Sequence, residues 1–462
     1  MMLASALVRL GATLFALALV WALVLAWWQA NDHSPSTVEM LLYLVALPGA
    51  MIGGYWLLRG FIDHLRTPPA EHAPASAGDD DPLAREQAKT SEAERRYTVG
   101  LIAAFLSTRA GDDADELLAA VAAGKRPTPD AKLCDDNGFP VFAAPVDALD
   151  LDAVAAYWGE DVSPPAALQR CLALIDRLLP GVVVAAREQL SSRSAQARLR
   201  LVWLLPPAVA PAGFGALKDL LQRRYLTELG VDRCELMLRT VASEAAVMAH
   251  IDGLVLAAGQ PDADADDIHG VLAASSAIDP ITVQAWADQG ALFSADNQHG
   301  VVPGEAALCL LFSAQPEEGA TVRVSRASAA ARDKAADAAG RVSGALLGKL
   351  ATELMAVHQL EASAIHAVVS DADHRASRVA ELFDALGESL AELDPLADYP
   401  CVGAVCGTTA PFGPLLALAC ARAKVLAAAQ AALCVTQQHA TARAAVLVLP
   451  PAPPADAPAA DT

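Results

Sequence analysis

At 462 residues and 47.9 kDa, the chain is long enough for one large or two ordinary domains. Hydrophobic residues make up 54% and charged residues 19%, with a mean hydropathy of +0.33, which is too apolar for a purely soluble acidic protein. A net charge of −21 and a pI near 4.8 repel nucleic-acid phosphate, and no Lys/Arg stripe overrides them, so nucleic acid is excluded as a partner.

The apolar excess sits first at the N-terminus. Leu10 to Trp28 carries no charged residue and neither does Met40 to Leu58, each about the ~20 residues a helix needs to cross a bilayer. Trp21, Trp27, Trp28, Tyr55 and Trp56 suit interface positions. Gln29 to Thr37 is a short polar turn, so residues 1–66 read as a transmembrane helical hairpin. Arg9 precedes the first segment, and Arg59 and Arg66 follow the second, whereas the turn lacks Lys and Arg. The positive-inside rule then predicts a multi-pass protein of a bacterial inner membrane, with N-terminus and body cytoplasmic. The apolar run is too long, and too closely followed by a second, for a cleaved signal peptide. Gly49 and Gly53 form a GxxxG spacing beside Pro48, where small residues serve either helix approach or a bend.

Residues 67–96 form a polar linker rich in Pro, Ala and Asp, with helical composition from Pro82 to Arg96. Residues 450–462 are a Pro/Ala/Asp tail expected to be disordered. Between them, short apolar runs alternate with Ala/Leu-rich stretches. The runs predict strands at Thr98–Phe105, Val141–Val146, Leu199–Leu205, Gly253–Ala258, Glu305–Phe312, Thr321–Val324, Ile365–Ser370, Val402–Cys406 and Ala445–Leu449. Helices are predicted at Ala114–Ala123, Pro165–Leu179, Gly213–Leu229, Gly340–His358, Arg375–Leu390 and Phe412–Cys434. Strands that read as continuous apolar runs are buried on both faces, which makes this an α/β architecture. Aromatic residues are only 5%, so Leu, Val, Ile and Ala must build the core. The eight cysteines show no CxxC pair and no zinc-ligand spacing, and read as reduced core thiols of a cytoplasmic body.

Two segments carry a family resemblance. Gly253-Leu-Val-Leu-Ala-Ala-Gly259 and the stretch from Leu292 to Phe312, with Gly300 and Gly304-Glu305-Ala306-Ala307, resemble the thiolase/β-ketoacyl synthase superfamily. Ala119–Lys125, Asp136–Val141 and Pro145–Leu149 fit its opening. Ile365–Asp371 and the segment from Cys401 through Gly407 to Ala419 resemble its later strand–loop and strand–helix units. The resemblance runs from about Tyr97 to Leu449. It implies a five-layer αβαβα domain of two similar halves, 97–318 and 319–449, stacked on each other and normally dimeric.

The superfamily's condensing enzymes use a Cys nucleophile at a helix N-terminus, assisted by two His or a His and a Lys. This chain departs at each place. The segment Leu236 to His250 contains no Cys, the first His is replaced by Ser370-Asp371-Ala372-Asp373 with His374 displaced, and Gly-His reads Gly407-Thr408. Groups that act as one unit are not replaced by a neighbour, so the site reads as dead, with no catalytic, cofactor-binding or metal-binding residue assigned. Cys309 sits in a predicted central strand and reads as core. Asp371, Asp373 and His374 have metal-ligand chemistry, but Arg375, Arg378 and a helix start beside them point to ion pairing and capping. Asp262 to Asp267 lacks the glycine and closing Glu of an EF-hand loop and reads as a solvated turn. No Walker, GxGxxG, HExxH or GxSxG motif occurs, so no cofactor is implied.

Three functions follow. The first is a membrane-tethered, non-catalytic scaffold, adaptor or chaperone, resembling the degenerate thiolase-like proteins found near type VI secretion effector genes. Its expected partners are the bilayer, a second copy or another thiolase-like chain, and a secreted effector. The second is an acyltransferase or condensing enzyme using a displaced Cys such as Cys234 with His250 or His374. The third is an envelope regulator unrelated to the superfamily.

Overall fold

The computed structural model describes residues 21, 27, 29–30, 91–135, 137–157, 164–207, 214–261, 264–315, 321–338, 340 and 342–451. The chain divides into two units, Met1–Glu86 and Gln87–Thr462. In the first, residues 21, 27, 29 and 30 are helical. The rest of the predicted hairpin, the linker as far as residue 90 and the tail from residue 452 lie outside the described residues. Among the described residues, no helix is long and apolar enough to cross a membrane.

The second unit begins with β1 (Thr98–Thr108), α1 (Ala114–Ala122) and a hairpin of β2 (Thr128–Cys134) and β3 (Pro140–Ala143). Next come α2 (Leu151–Ala155), α3 (Ala166–Ser191), β4 (Leu199–Leu205), α4 (Phe214–Arg224) and β5 (Cys234–Thr240). Helix α5 (Glu244–Ala258), β6 (Ile268–Ser276), α6 (Pro280–Asp288) and β7 (Glu305–Ser313) complete the first half. The second half is shorter. It contains β8 (Val322–Ser325), β9 (Ser328–Ala331), α7 (Ala345–Val357), β10 (Ile365–Ser370), α8 (Ala376–Leu386), α9 (Gly403–Cys406), α10 (Gly413–Ala428), β11 (Ala431–Thr436) and β12 (Ala442–Leu449).

One mixed sheet runs β10-β11-β12-β8-β1-β7-β6-β4-β5, with β9 also paired to β12. Its two ends repeat one pattern. In the first half β5, β4 and β6 are parallel, and β7 is antiparallel to both β6 and β1. In the second, β10 and β11 are parallel, and β12 is antiparallel to both β11 and β8. The halves join where Thr98–Leu101 pairs antiparallel with Val322–Ser325. The counterpart of β5 in the second half is reduced to a bridge between Ser370 and Cys401.

Burial sorts the helices into layers. Helix α3 packs its Leu/Val face on β4, β6 and β7, while α7 and α8 pack on β10 to β12. Helices α5 and α10 lie in the core between. Helix α10 is buried on every side from Gly413 to Ala421, as a helix that is apolar all round must be. Strand β7 (Glu-Ala-Ala-Leu-Cys-Leu-Leu-Phe-Ser) is buried at all nine positions, the signature of a strand covered on both faces.

Several expected elements change type. Gly253–Ala258 is the end of α5, not a strand. Ser243 starts that helix by accepting the Ala246 amide at 3.2 Å, and Val247, Met248, Ile251 and Val255 form its buried stripe. A six-residue apolar run does not distinguish strand from helix. Val402–Cys406 contains the short helix α9, because Gly403 presses against the backbone of Asp371 and Ala372 too closely for a side chain. The long helix expected at Phe412–Cys434 stops at Ala428. Ala429 turns left-handed at φ 54°, its N–H closing on the Val425 carbonyl, and β11 follows. Strands β5 and β6 were not among the predicted elements. Helix α3 runs through Pro180 to Ser191, well beyond Leu179.

Candidate functional site

Parallel neighbours end at the same edge of a sheet, so the loops after β10 and β11 come together. Ser370, the last residue of β10, also accepts the Val402 amide at 2.9 Å, which draws in the segment leading to Gly407. From the other half, the Ser275 hydroxyl at the end of β6 donates to the Thr409 carbonyl at 3.0 Å, and the Thr408 amide donates to Val302 at 2.8 Å. Gly304 lies so near the Cys406 carbonyl that a Cβ has no room, and Gly407 turns at φ +66°. The loop after β10 and the segment leading to Gly407 are therefore drawn to one seam between the halves, and Glu244 at the start of α5 acts on Asp371 from the other side of it.

Asp371 occupies its centre. The side chain is fully buried, and its Oδ1 accepts the backbone amides of Gln437 at 2.7 Å and Gln438 at 3.1 Å. Its Oδ2 is buried and makes no hydrogen bond. Burial raises the pKa of this carboxyl to about 7, against the two amides that stabilise its charge, and the nearby Glu244 carboxylate adds to the rise. Around it Ser370, Thr409, Phe412, Gln437, Gln438 and Glu244 are all buried, with the Gln437 side-chain amide donating to the Ser370 hydroxyl at 3.0 Å. The cluster holds a titratable acid that is fully buried.

The other buried charges of this half are paired. Asp373 accepts the Arg375 amide and guanidinium, each at 3.0 Å. Arg378, also fully buried, pairs with Asp337 at 2.7 Å, and both arginines donate to the Gln438 carbonyl. Glu381 is held by Arg443 through two 2.8 Å bonds and by Arg332 at 2.8 Å. These pairs fix the loop after β10 against the loop after β11. His374 stacks edge-on against Phe293, with centroids 4.7 Å apart, and its pKa is lowered by desolvation. Among the described residues, no group of three or more His, Cys, Asp or Glu is arranged to hold a metal.

Glu305, from the glycine–glutamate segment of the resemblance, is an internal clamp. It is fully buried and takes Arg170 bidentately at 2.7 and 2.5 Å. It also accepts the Val146 amide at 2.7 Å and the Ser276 hydroxyl at 2.7 Å. With its lone pairs committed, it ties α3, the chain after β3 and the end of β6 to β7.

The helix N-terminus that would carry a nucleophile opens on Ser243, whose hydroxyl is used as the N-cap. Cys234 lies at the far end of β5, some ~20 Å of strand away from that helix start. It is buried, and desolvation raises its thiol to about 11. His250 sits farther along α5 in a cleft with Met237, Arg239 and His269, away from the seam. Cys309 is enclosed in β7, and its thiol pKa is raised by burial. Of the acidic turn, Asp264 and Asp267 pair with Arg200 at 2.5 and 2.7 Å, while residues 262–263 lie outside the described residues. Glu244, Gln437 and Gln438 were not singled out in the sequence. Ser243 followed by an apolar helical stripe is a readable cap signal, whereas nothing local marks the two glutamines.

A duplicated α/β sheet with two helices enclosed between its halves is the thiolase-like ketosynthase fold. No protein-family model matches the chain, and no curated protein matches it. Among solved structures it is similar to the ishigamide ketosynthase/chain length factor, 18% identical, covering 77% of this chain and 100% of that one with a TM-score of 0.50. It is also similar to an oxazolomycin ketosynthase domain of Streptomyces albus, 12% identical over 79% of this chain and 76% of that one, TM-score 0.52. A third likeness is to a type II polyketide synthase acyl-carrier protein in complex with its hexaketide-bound ketosynthase, 10% identical over 77% of this chain and 100% of that one, TM-score 0.52. At these identities the likeness is one of fold.

Proposed function

We propose that this chain is a non-catalytic scaffold or adaptor of thiolase-like fold, tethered to the cytoplasmic face of a bacterial inner membrane by residues 1–66. The observation that carries the reading is the buried carboxyl at the seam. Where a condensing enzyme needs an open cleft, a thiolate and proton-transferring histidines, this chain has Asp371 buried among Ser370, Gln437, Gln438 and Phe412, beside a helix capped by Ser243. A carboxyl this buried, with two backbone amides on one oxygen, fits packing better than turnover.

The tether rests on the two uncharged apolar segments and on Arg9, Arg59 and Arg66 flanking them. The partner proposed is a thiolase-like chain, in keeping with the pairing of ketosynthase and chain length factor named for one similar structure. A secreted effector is the cargo that the sequence resemblance suggests. Acyl transfer through a displaced cysteine is the weaker reading, since Cys234 has a raised thiol pKa and no histidine beside it.

The test is purification of the full chain from its native membranes in mild detergent, with identification of what accompanies it. Retention in the membrane fraction with a second thiolase-like chain, or a second copy, is the expected result. Release from membranes by alkaline carbonate, or recovery with an acyl carrier protein and an acyl group on one cysteine, would overturn the proposal.

A further inference from the structure

Strand β4 runs between β5 and β6, parallel to both, and its side chains alternate between the faces of the sheet. Leu199, Leu201 and Trp203 pack into the core under α3, so Arg200 and Val202 stand on the opposite face. The register sets Met237 of β5 and Val271 of β6 on either side of Val202, and His269 of β6 beside Arg200. Helix α5 turns its stripe of Val247, Met248, Ile251 and Val255 to the central core. Its other flank, with His250, Gly253, Leu254 and Ala257, meets that sheet surface across a cleft of about 320 Å³.

The walls of this cleft are of two kinds. Val202, Met237, Leu254 and Ala257 are apolar, whereas Arg200, Arg239, His250 and His269 are basic. Among the described residues no acid lines it, in a chain whose net charge is −21. Burial lowers the pKa of both histidines. Arg239 lowers His250 further, and Arg200 does so at His269, where Asp264 and Asp267 act the other way. Arg200 is paired with Asp264 and Asp267. Arg239 is exposed, and its guanidinium donates to His250 Nδ1 at 3.3 Å, a bond that orients the fork and leaves its other N–H groups for an acceptor.

Gly253 keeps the cleft open. It lies inside α5, where glycine is the poorest helix former short of proline. No neighbouring atom lies within 4 Å of the place its Cβ would take, so packing does not demand a glycine there.

We propose that the cleft binds a short-chain aliphatic carboxylate, its carboxylate on the Arg239 guanidinium and its chain along Val202, Met237, Leu254 and Ala257. A guanidinium fork matches the geometry of a carboxylate, and apolar walls beside one placed charge suit an anion with a chain better than a bare one. Nothing at this site depends on the scaffold reading.

Calorimetric titration of the full-length protein in detergent with hexanoate tests this, with the detergent alone as blank. Saturable binding is expected, weakening about fourfold for each methylene removed between hexanoate and butyrate. Hexanol, which lacks the charge, and inorganic phosphate, which lacks the chain, should each bind at least tenfold more weakly. Arg239→Gln and Gly253→Leu, the second filling the cleft, should each weaken hexanoate at least tenfold. Arg187→Gln, which breaks a surface pair with Glu228 outside the cleft, should leave it unchanged. Thermal unfolding checks that each variant is folded, and the chain-length series decides independently of them. No saturable binding of hexanoate, phosphate binding as strong as hexanoate, or hexanoate binding indifferent to both cleft variants overturns the proposal.

Discussion

Asp371 and Gln437 sit on the loops that end two neighbouring parallel strands, and the Gln437 amide donates to Asp371 Oδ1 at 2.7 Å. The Gln438 amide joins it at 3.1 Å, so one carboxyl oxygen closes the turn after β11 while the other is left without a partner. The bond ties the loop after β10 to the loop after β11.

The unpartnered oxygen gives stability a pH dependence. Burial raises the Asp371 pKa from its ordinary 3.8 to about 7. Between those values the folded chain holds a proton that the unfolded chain has lost, so this residue's contribution falls as pH rises through that window and is at its worst above it. Asp371→Asn keeps the acceptor for both amides and carries no charge. It is expected to stabilise the body by roughly 2–4 kcal/mol at pH 8 and by much less at pH 5, read from thermal midpoints at the two pH values.

Glu305 depends on Arg170 in the opposite sense. Arg170→Met leaves a fully buried carboxylate with one amide and one hydroxyl, and should cost about 3–5 kcal/mol. Glu305→Gln removes the charge itself and should cost less. Chemical denaturation of the two variants checks the order.

The thiols should divide sharply. Cys134 is exposed, Cys401 is partly covered with its thiol raised to about 12 by burial, and the other six are buried. A chromogenic thiol reagent should titrate one cysteine rapidly in the native protein and all eight after unfolding. Rapid reaction of a second thiol at Cys234 would favour the displaced-nucleophile reading.

Ser243 caps the N-terminus of α5. Ser243→Ala should lower stability by about 1 kcal/mol through loss of the bond to the Ala246 amide. Ser243→Cys should take no acyl group from an acyl thioester, because Glu244 beside it opposes the thiolate that such a step needs. Mass spectrometry of the treated variant gives the answer.

Much of the sheet could be read in advance because its strands are continuous apolar runs. Leu199–Leu205 and Ile365–Ser370 are strands over the expected residues. Reading failed where a run was apolar but short, as at Gly253–Ala258, where the cap at Ser243 outweighed β-propensity. It also failed where strand and helix followed each other without a break, as at Ala428 to Ala431, where one left-handed alanine separates them. Strand β5 was hidden because its exposed Glu235, Met237 and Arg239 dilute the apolar run, as an edge strand's must. At the seam, Asp371 and Thr408 were readable in the sequence as residues standing where the resemblance expects histidines. The filling was not, since Glu244, Gln437 and Gln438 arrive from three distant parts of the chain and meet only through folding.

The measurement that bears most directly on the central claim is acyl labelling of the full-length wild-type protein with an acyl thioester, followed by peptide mapping. The scaffold reading predicts no cysteine acylated above the level of the denatured control. Stoichiometric acylation of one cysteine, lost when that residue is changed to Ala, would contradict it and make this chain an enzyme.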